Sequence, residues 1–502
     1  MTRLRSLLVL SAAALATLWL STAVSAQADG SVDEAYYVMK LGGQRAGWMR
    51  ESTTRADGTI TSAAEVVFKI GRGATSVSLR IETEFVETTG GEPVSMRSLQ
   101  QMGTAPIETS YAFDGETVRI TTRQSGRETT AEQPAPAGDW VTPARADHML
   151  REALASGAPI PSITSLDPTY GLTPLTSNRT NAEPAVVEVF GKTVPATRVE
   201  TELSIAPGMP SVEYLDADGR LVRSTTRIGG MEIVVLAADR DLALAEIEAP
   251  EIMRSTFVQP SRKIADPRSL RRASYTLSVP DGRIEDLYNS PQHQIERLDE
   301  RRLRLTVDLD APPARSPEPG PSHLEASAMI DRDDEAVRAM LGRSALRDGA
   351  SQAARAEGLR RFVHRSISQK SLDVGFASAS EVARSGVGDC TEHAVLLAAL
   401  LRADGIPSRV VSGLVYAQDF AGAQEIFGYH MWTQAWIDGP DGPGWIDLDA
   451  TMPNAAPTDA THIAISATDM SGNDSFNAML TLAPLLGRLE IEVVETGLAG
   501  GH

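Results

Sequence analysis

The stretch Gly386-Val387-Gly388-Asp389-Cys390-Thr391-Glu392-His393-Ala394 decides how this 502-residue chain folds, and it holds the only cysteine. Two glycines before Asp389 predict a turn, and Asp389 followed three residues later by Glu392 is a variant of the capping box that starts helices. Cys390 would then be the first helical residue. There, unpaired backbone N–H groups and the positive end of the helix dipole favour a thiolate. The stretch therefore predicts a cysteine nucleophile.

The residues after Cys390 support a helix. Apolar side chains recur at helical spacing up to Leu401, and Gly405 with Pro407 marks the end of the helix. A strand is predicted next, at residues 408–414. A free cysteine is more often a small core residue than a nucleophile, so simple packing stays open for Cys390.

The N-terminus predicts export. Arg3 and Arg5 precede an apolar run and then the small residues 23–26, as in a secretory signal peptide comprising residues 1–26. The apolar run is short for a membrane span, so we expect a periplasmic or secreted protein with no span after cleavage, and an uncleaved anchor is the alternative. A lone exposed thiol in an oxidising compartment is a liability, which favours a functional role for Cys390.

The net charge and the spacing of possible metal ligands argue against the binding of several classes of partner and cofactor. The chain has 47 basic and 66 acidic residues and a formal net charge of −19, so nucleic acid and anionic lipid are poor partners. We see no zinc-ligand spacing and no calcium loop in the sequence, and we expect neither metal nor cofactor. The oligomeric state stays open.

An α+β protein is expected, with an antiparallel β domain before a mixed catalytic domain. Short alternating segments separated by glycine turns predict the strands of the first domain, and a helix is expected near residues 144–155. The predicted divisions are a signal peptide at 1–26, the β domain at 27–247, a connector with two strands and a proline-rich linker at 248–321, and the catalytic domain at 322–502.

Proline-rich residues 311–321 predict an exposed linker, and residues 322–502 are long enough to fold alone. The alternative is that the connector strands, at 274–279 and 302–309, complete the sheet of the catalytic domain. Three helices are expected to lead to the cysteine turn, at 334–341, 351–367 and 378–385.

Two segments after the cysteine helix predict a β-hairpin, residues 428–437 and 445–451. Period-two alternation places His430 and Trp432 on one face, and Asp447 and Asp449 on one face of the returning strand. A histidine held by a carboxylate is the base that a cysteine nucleophile needs. Asp449 is the first choice for that carboxylate and Asp447 the second.

Several neighbouring residues have simpler explanations. His393, on the helix of the cysteine itself, competes with His430 as the base, although a structural role is expected for it. Glu392 is explained as a cap, and Trp432, Trp436 and Trp445 are explained as a cross-strand packing cluster.

These motifs resemble the transglutaminase-like superfamily of papain-like cysteine enzymes, in its exported bacterial type. The resemblance covers about residues 334–453 and rests on four stretches in order: Gly388-Asp389-Cys390-Thr391-Glu392-His393-Ala394, residues 400–410, His430-Met431-Trp432, and Trp445-Ile446-Asp447-Leu448-Asp449-Ala450-Thr451. It implies Cys390 as nucleophile, His430 as base and Asp449 as the orienting acid. Ala450-Thr451 replaces the commoner Pro-Thr.

The expected function is cleavage of amide bonds in a peptide or protein through a thioester, with cell-wall peptide among the candidate substrates. Hydrolysis is favoured over amine transfer because water is abundant and the sequence names no amine pocket. A catalytically silent binding or assembly module is the alternative. A thiol redox role is disfavoured, since a single cysteine cannot form a Cys-x-x-Cys pair.

Overall fold

The computed structural model describes residues 32–72, 75–101, 106–124, 126–251, 253–311, 317–344, 346, 349–370, 377–439, 442–453, 458–471 and 482–498. The predicted signal peptide and residues 312–316 of the predicted linker lie outside these ranges. Within them the chain forms two compact units, one of residues 32–71 with 77–250 and one of residues 251–498 with 72, 75 and 76. Across the described ranges, every helix is too short or too polar to cross a membrane.

The first unit is built on one sheet of fourteen strands. Strands that follow each other in the chain pair with each other except β8 and β9, which are the two edges. Because β1 also pairs with β14, the sheet runs from β8 through β1 and β14 to β9. The strands are β1 Val32–Leu41, β2 Gln44–Ala56, β3 Thr59–Arg72, β4 Thr75–Thr88, β5 Pro93–Gln101, β6 Ile107–Asp114, β7 Thr117–Gln124, β8 Arg127–Pro134, β9 Ile163–Ser165, β10 Leu175–Val189, β11 Lys192–Leu203, β12 Ser211–Leu215, β13 Leu221–Ile228 and β14 Met231–Ala238.

The alternation of buried and exposed side chains along the strands explains why this segment forms a sheet with one apolar face. Along β5 every second central residue is buried, and Phe85, Met96 and Tyr111 from neighbouring strands form one apolar cluster. The predicted helix is confirmed as α1, Pro143–Ser156, which has proline in its first turn and Gly157 at φ 66° after its last residue. A short helix, α2 Arg240–Leu244, follows β14.

The second unit contains a four-stranded sheet that joins distant parts of the chain. Its strands are β15 Leu270–Ser278, β16 His293–Arg297, β17 Arg302–Asp308 and β22 Glu490–Leu498, in the order β16-β17-β15-β22. The last strand thus pairs with a strand that precedes the proline-rich stretch, for example Leu277 with Ile491. This pairing places the connector strands in the same unit as the residues after the proline-rich stretch, the arrangement of the alternative prediction.

Among the described residues, this unit also contains a second four-stranded sheet and four α-helices. The sheet has the order β20-β19-β18-β21. Its elements confirm the predicted hairpin and helices within a few residues, whereas β21 was not predicted. They are α3 Glu335–Arg343, α4 Gln352–Ser366, α5 Ala379–Ser385, α6 Cys390–Ala403, β18 Ser408–Phe420, β19 Ala423–Gly439, β20 Gly442–Leu448 and β21 Ile463–Thr468.

Helix α6 is the centre of this unit. It is buried from Cys390 to Arg402 and packs on β18 and β19 as well as on the three other helices. A helix that is buried on every side belongs to the core of its unit. The predicted fold class, a β-rich N-terminal region followed by a mixed C-terminal region, is confirmed.

Candidate active site

Cys390 is the first residue of α6, as the capping residues predict. The Asp389 carboxylate accepts from the backbone N–H of Thr391 at 2.8 Å, and Glu392 Oε2 accepts from the N–H of Asp389 at 2.8 Å. Both carboxylates are fully buried, and Cys390 is only 2% exposed. The thiol is therefore held at the positive end of a rigid helix.

Two hydrogen bonds fix this helix on strand β19. Thr391 Oγ1 lies 3.5 Å from Met431 Sδ, and Thr433 Oγ1 donates to the Ala394 carbonyl at 2.9 Å. Thr391 directly follows Cys390, and Met431 directly follows His430. The first turn of the helix and the histidine segment of the strand are thus brought together.

The structure pairs His430 with Asp449. His430 Nε2 lies 2.6 Å from Asp449 Oδ2, and both side chains are at most 1% exposed. The hairpin places them there because β20 ends at Leu448, one residue before the carboxylate, while Thr433 pairs with Leu448 across the strands. Asp449 therefore lies in the turn that follows the strand.

Asp447, the second choice, is held by other partners. Its Oδ1 accepts from Trp432 Nε1 at 2.6 Å and from Gln434 Nε2 at 2.8 Å. Gln434 Oε1 in turn accepts from Arg409 Nε at 2.8 Å. Asp447 thus orients the tryptophan and the glutamine beside His430, and Asp449 is the carboxylate on the imidazole itself.

Asp449 is fixed from several sides. Its Oδ1 accepts from the backbone N–H and the hydroxyl of Thr451, at 2.7 and 2.6 Å. The buried Arg360 guanidinium donates to the Asp449 carbonyl at 3.2 Å and to that of Met452 at 2.7 Å. Burial alone would raise the pKa of Asp449, but neighbouring His430 and His462 outweigh it and hold that pKa well below its usual range. Asp449 is a carboxylate at neutral pH.

His393, the competing base, is used within its own helix. Its Nδ1 bonds the carbonyl of Asp389, four residues earlier, and the ring is 1% exposed. Burial lowers the pKa of His393 to about 4, only partly offset by the Asp389 hydrogen bond and the charge of Asp449. The ring is neutral at neutral pH, in keeping with a structural role.

The tryptophans form packing contacts around the hairpin. Trp436 and Trp445 pair across the strands with ring centroids 5.5 Å apart, and Arg409 lies 3.9 Å above the Trp445 ring. Trp432 lies over Gly413, the residue opposite His430 on β18. A Cβ on that glycine would come within 2.8 Å of the indole and 2.0 Å of the Ile463 carbonyl oxygen.

Sequence reasoning did not single out His462. Its Nε2 lies 3.2 Å from Asp449 Oδ2, so one carboxylate oxygen serves two buried histidines. A signal was present, because the tripeptide Asp449-Ala450-Thr451 recurs ten residues later as Asp459-Ala460-Thr461. In both, the aspartate Oδ1 accepts from the N–H and the hydroxyl of the threonine, and the second turn holds His462.

The ligand atoms of His430, Asp449 and His462 lie within 4.8 Å of one another, a spacing that a metal ion could use. Two ligands on one tetrahedral zinc ion, each about 2 Å from it, are about 3.3 Å apart. The 2.6 Å between His430 Nε2 and Asp449 Oδ2 is the shorter distance of a charge-assisted hydrogen bond. We therefore assign the cluster to hydrogen bonding.

Comparison with known proteins confirms the family resemblance for part of the chain. Residues 340–450 match the model of the Transglutaminase-like superfamily. This range includes Cys390, His430 and Asp449. No curated protein matches the chain.

Three solved structures are similar to the chain at low identity. A β-barrel-like protein of a domain of unknown function from Brucella abortus is 13% identical over 42% of this chain and 98% of its own, with a TM-score of 0.32. A candidate cysteine protease from Cytophaga hutchinsonii is 14% identical over 46% of this chain and 89% of its own, with a TM-score of 0.26. A candidate protease from Parabacteroides distasonis is 12% identical over 72% of this chain and 68% of its own, with a TM-score of 0.17.

Proposed function

We propose that this protein is an exported cysteine enzyme that cleaves amide bonds through a thioester, with Cys390 as nucleophile, His430 as base and Asp449 as the orienting acid. The observation that carries the proposal is the buried 2.6 Å contact between His430 Nε2 and Asp449 Oδ2, next to a helix that begins with the cysteine. The match of residues 340–450 to the transglutaminase-like superfamily supports the same class of chemistry.

In the proposed first step the thiolate of Cys390 attacks the carbonyl carbon of the amide. The C–N bond breaks, a C–S bond forms, and the leaving amine takes a proton from His430. Because Asp449 holds Nε2, the proton passes through Nδ1 of the same ring. The N–H of Cys390 itself, at the start of α6, is the donor we assign to the developing oxyanion.

In the second step water attacks the thioester with His430 as the base. The C–S bond breaks, the acid is released, and the water proton ends on the imidazole and thiolate pair. An amine in place of water would give a new amide. We favour hydrolysis, with a peptide or cell-wall peptide amide as substrate.

Mass spectrometry tests the proposal. The mature protein is incubated with peptide and peptidoglycan-fragment amides and quenched in acid, and the peptide holding Cys390 should gain the mass of the acyl group. Hydroxylamine should remove that mass, and Cys390→Ala should never gain it. Adding an amine such as cadaverine partitions the product, so dominance of the free acid supports hydrolysis and dominance of the new amide supports transfer.

A catalytically silent module is the second candidate, and burial is the observation that favours it. Cys390 and His430 are each 2% exposed, which does not by itself admit a substrate. For a silent module, no amide in the library should acylate Cys390, and iodoacetamide should alkylate it no faster than it alkylates free cysteine.

A further inference from the structure

We propose that His462 is a positioning residue of this site, an imidazolium at neutral pH that shares the Asp449 carboxylate with His430 and sets the pH range in which the cysteine and histidine pair works. The inference rests on the proposed function, because it assigns His430 and Cys390 their roles. The inference adds His462 as a fourth side chain to Cys390, His430 and Asp449, and it concerns the pH range in which these side chains react.

The contacts of His462 run in two directions. Its Nε2 lies 3.2 Å from Asp449 Oδ2, the oxygen that is 2.6 Å from His430 Nε2. Its Nδ1 lies 3.0 Å from the Asp459 carbonyl and 3.4 Å from Asp459 Oδ1, and the backbone N–H of Asp459 lies 3.3 Å from the same nitrogen. Two acceptors, one of them a carboxylate, thus face Nδ1 against one donor, and Nε2 faces a second carboxylate, so a ring with a proton on both nitrogens matches most of its neighbours.

The ring is also held in place by packing. It is 2% exposed, and it meets the Trp432 ring edge-on with centroids 5.3 Å apart. Its backbone carbonyl accepts from His293 Nε2 at 3.1 Å. Since Trp432 is itself bound to Asp447, this contact restrains the ring beside Asp449.

The charged groups around His462 favour the cation. Asp449 and Asp459 face it directly, and Arg268 neutralises the far oxygen of Asp459 across 2.5 Å. Burial alone would lower the pKa of His462, but the two carboxylates outweigh it and raise that pKa to about 9. Other ionisable side chains near it are His430, whose ring centroid lies 5.9 Å from that of His462, His293, whose pKa burial lowers to about 4, and Asp447, which acts on His293.

A cation on Asp449 has a defined effect on the reacting pair. It partly neutralises the carboxylate that His430 uses, so it disfavours additional protons on every group nearby. Removing the charge while keeping the hydrogen bond should therefore move both transitions of the Cys390 and His430 titration to higher pH. Removing the hydrogen bond as well should also leave Asp449 poorly oriented.

The test is the pH profile of Cys390 alkylation by iodoacetamide on the full mature chain, between pH 4 and 10. His462→Gln keeps an N–H at the Nε2 position without the charge, and both transitions should shift upward by about one unit. His462→Ala should shift them similarly and also lower the maximal rate about tenfold. His364→Gln is the control, since it removes a histidine that bonds Ala450 beside Asp449 but does not touch the carboxylate.

Asp459→Asn provides a second variant in case substitution of His462 prevents folding. It removes the group that holds the charge on His462, and it leaves Asp449 in place, so a smaller shift in the same direction is expected. A His462→Gln or Asp459→Asn profile that overlays the wild-type profile would overturn the inference. Alkylation needs no substrate, so these results are independent of whether any amide acylates Cys390.

Discussion

Two carboxylates two residues apart have separate duties at this site. Asp449 bonds a histidine ring, and Asp447 bonds the indole of Trp432 and the amide of Gln434. The sequence pattern predicts both on one face of the same strand. In the structure β20 ends at Leu448, so Asp447 lies in the strand and Asp449 lies just after it. Their chemistry is the same, so their partners decide which one orients the base.

We expect Asp449→Asn to lower turnover by roughly 10²–10⁴, by analogy with loss of the orienting aspartate in serine triads. Asp447→Asn should cost much less, because an amide oxygen can still accept from Trp432 Nε1. The measurement is the steady-state rate on an amide or activated ester that acylates Cys390, with circular dichroism to establish that both variants fold. Greater damage from Asp447→Asn would reverse the assignment.

The residues of the proposed triad were predictable from sequence, whereas the contact of His462 with Asp449 was not, although the repeated Asp-Ala-Thr marks its turn. Cys390 has a local signature in its cap, and His430 and Asp449 follow from hairpin alternation and the family motifs. His462 reaches the site only because the turn at Asp459 and the pairing of β21 with β18 bring it back to Asp449. Neither a helical nor a strand periodicity in the sequence predicts that His462 contacts Asp449.

At the scale of the helix, the start of α6 depends on Gly388. A Cβ there would lie 2.3 Å from Glu392 Cβ and 2.7 Å from its Cγ. Glu392 is the side chain that bonds the Asp389 N–H, so the glycine makes room for the capping box itself. The turn that contains Gly388 and Asp389 also positions the thiol of Cys390.

We expect Gly388→Ala to destabilise the protein by about 1–3 kcal/mol, the usual cost of overpacking, and to slow alkylation of Cys390 below pH 8. The matched control is Gly342→Ala in α3, where a Cβ meets nothing within 4 Å and helix propensity favours alanine. Denaturant unfolding and iodoacetamide rates measure the two effects. Equal alkylation rates in Gly388→Ala and wild type would show that the cap does not activate the thiol.

At the scale of the whole molecule, buried histidines should make the unfolding free energy depend on pH in both directions. His462 has its pKa raised to about 9, so its contribution is full below about 6.5 and is lost as pH rises to about 9. His393 has its pKa lowered to about 4, so the unfolded chain binds the extra proton and stability falls between about 6.5 and 4.

The free energy of unfolding of the second unit should therefore be highest near neutral pH. It should fall by up to about 3 kcal/mol per histidine on each side. Calorimetry across pH 4–10 measures it. His462→Gln should flatten the alkaline side, and His393→Gln should remove part of the acid-side loss, to which His293 also contributes because burial lowers its pKa to about 4 as well. An alkaline side unchanged in His462→Gln would mean that another group causes the loss.

The extent of the second unit is the part of the fold that composition predicted least well. A proline-rich stretch suggests a boundary, but strand pairing is set by contacts far apart in the chain. Strand β15 pairs with β22 over more than two hundred residues, and Tyr275 in β15 donates to the Ala460 carbonyl at 3.0 Å. Arg268, just before β15, bonds Asp459. The segment that carries His462 is thus supported from before the linker.

We therefore expect residues 322–502 expressed alone to be insoluble or molten, because β22 would lose its partner strand and Asp459 its arginine. Residues 251–502 should fold and keep the thiol reactivity of the mature chain, and that longer fragment is the control. Cleavage between residues 311 and 321 by limited proteolysis offers a separate check. The two pieces should stay together in gel filtration, since backbone hydrogen bonds between β15 and β22 hold them across the cut. Separation of the pieces, or a folded and reactive 322–502 fragment, would restore the linker as a true domain boundary.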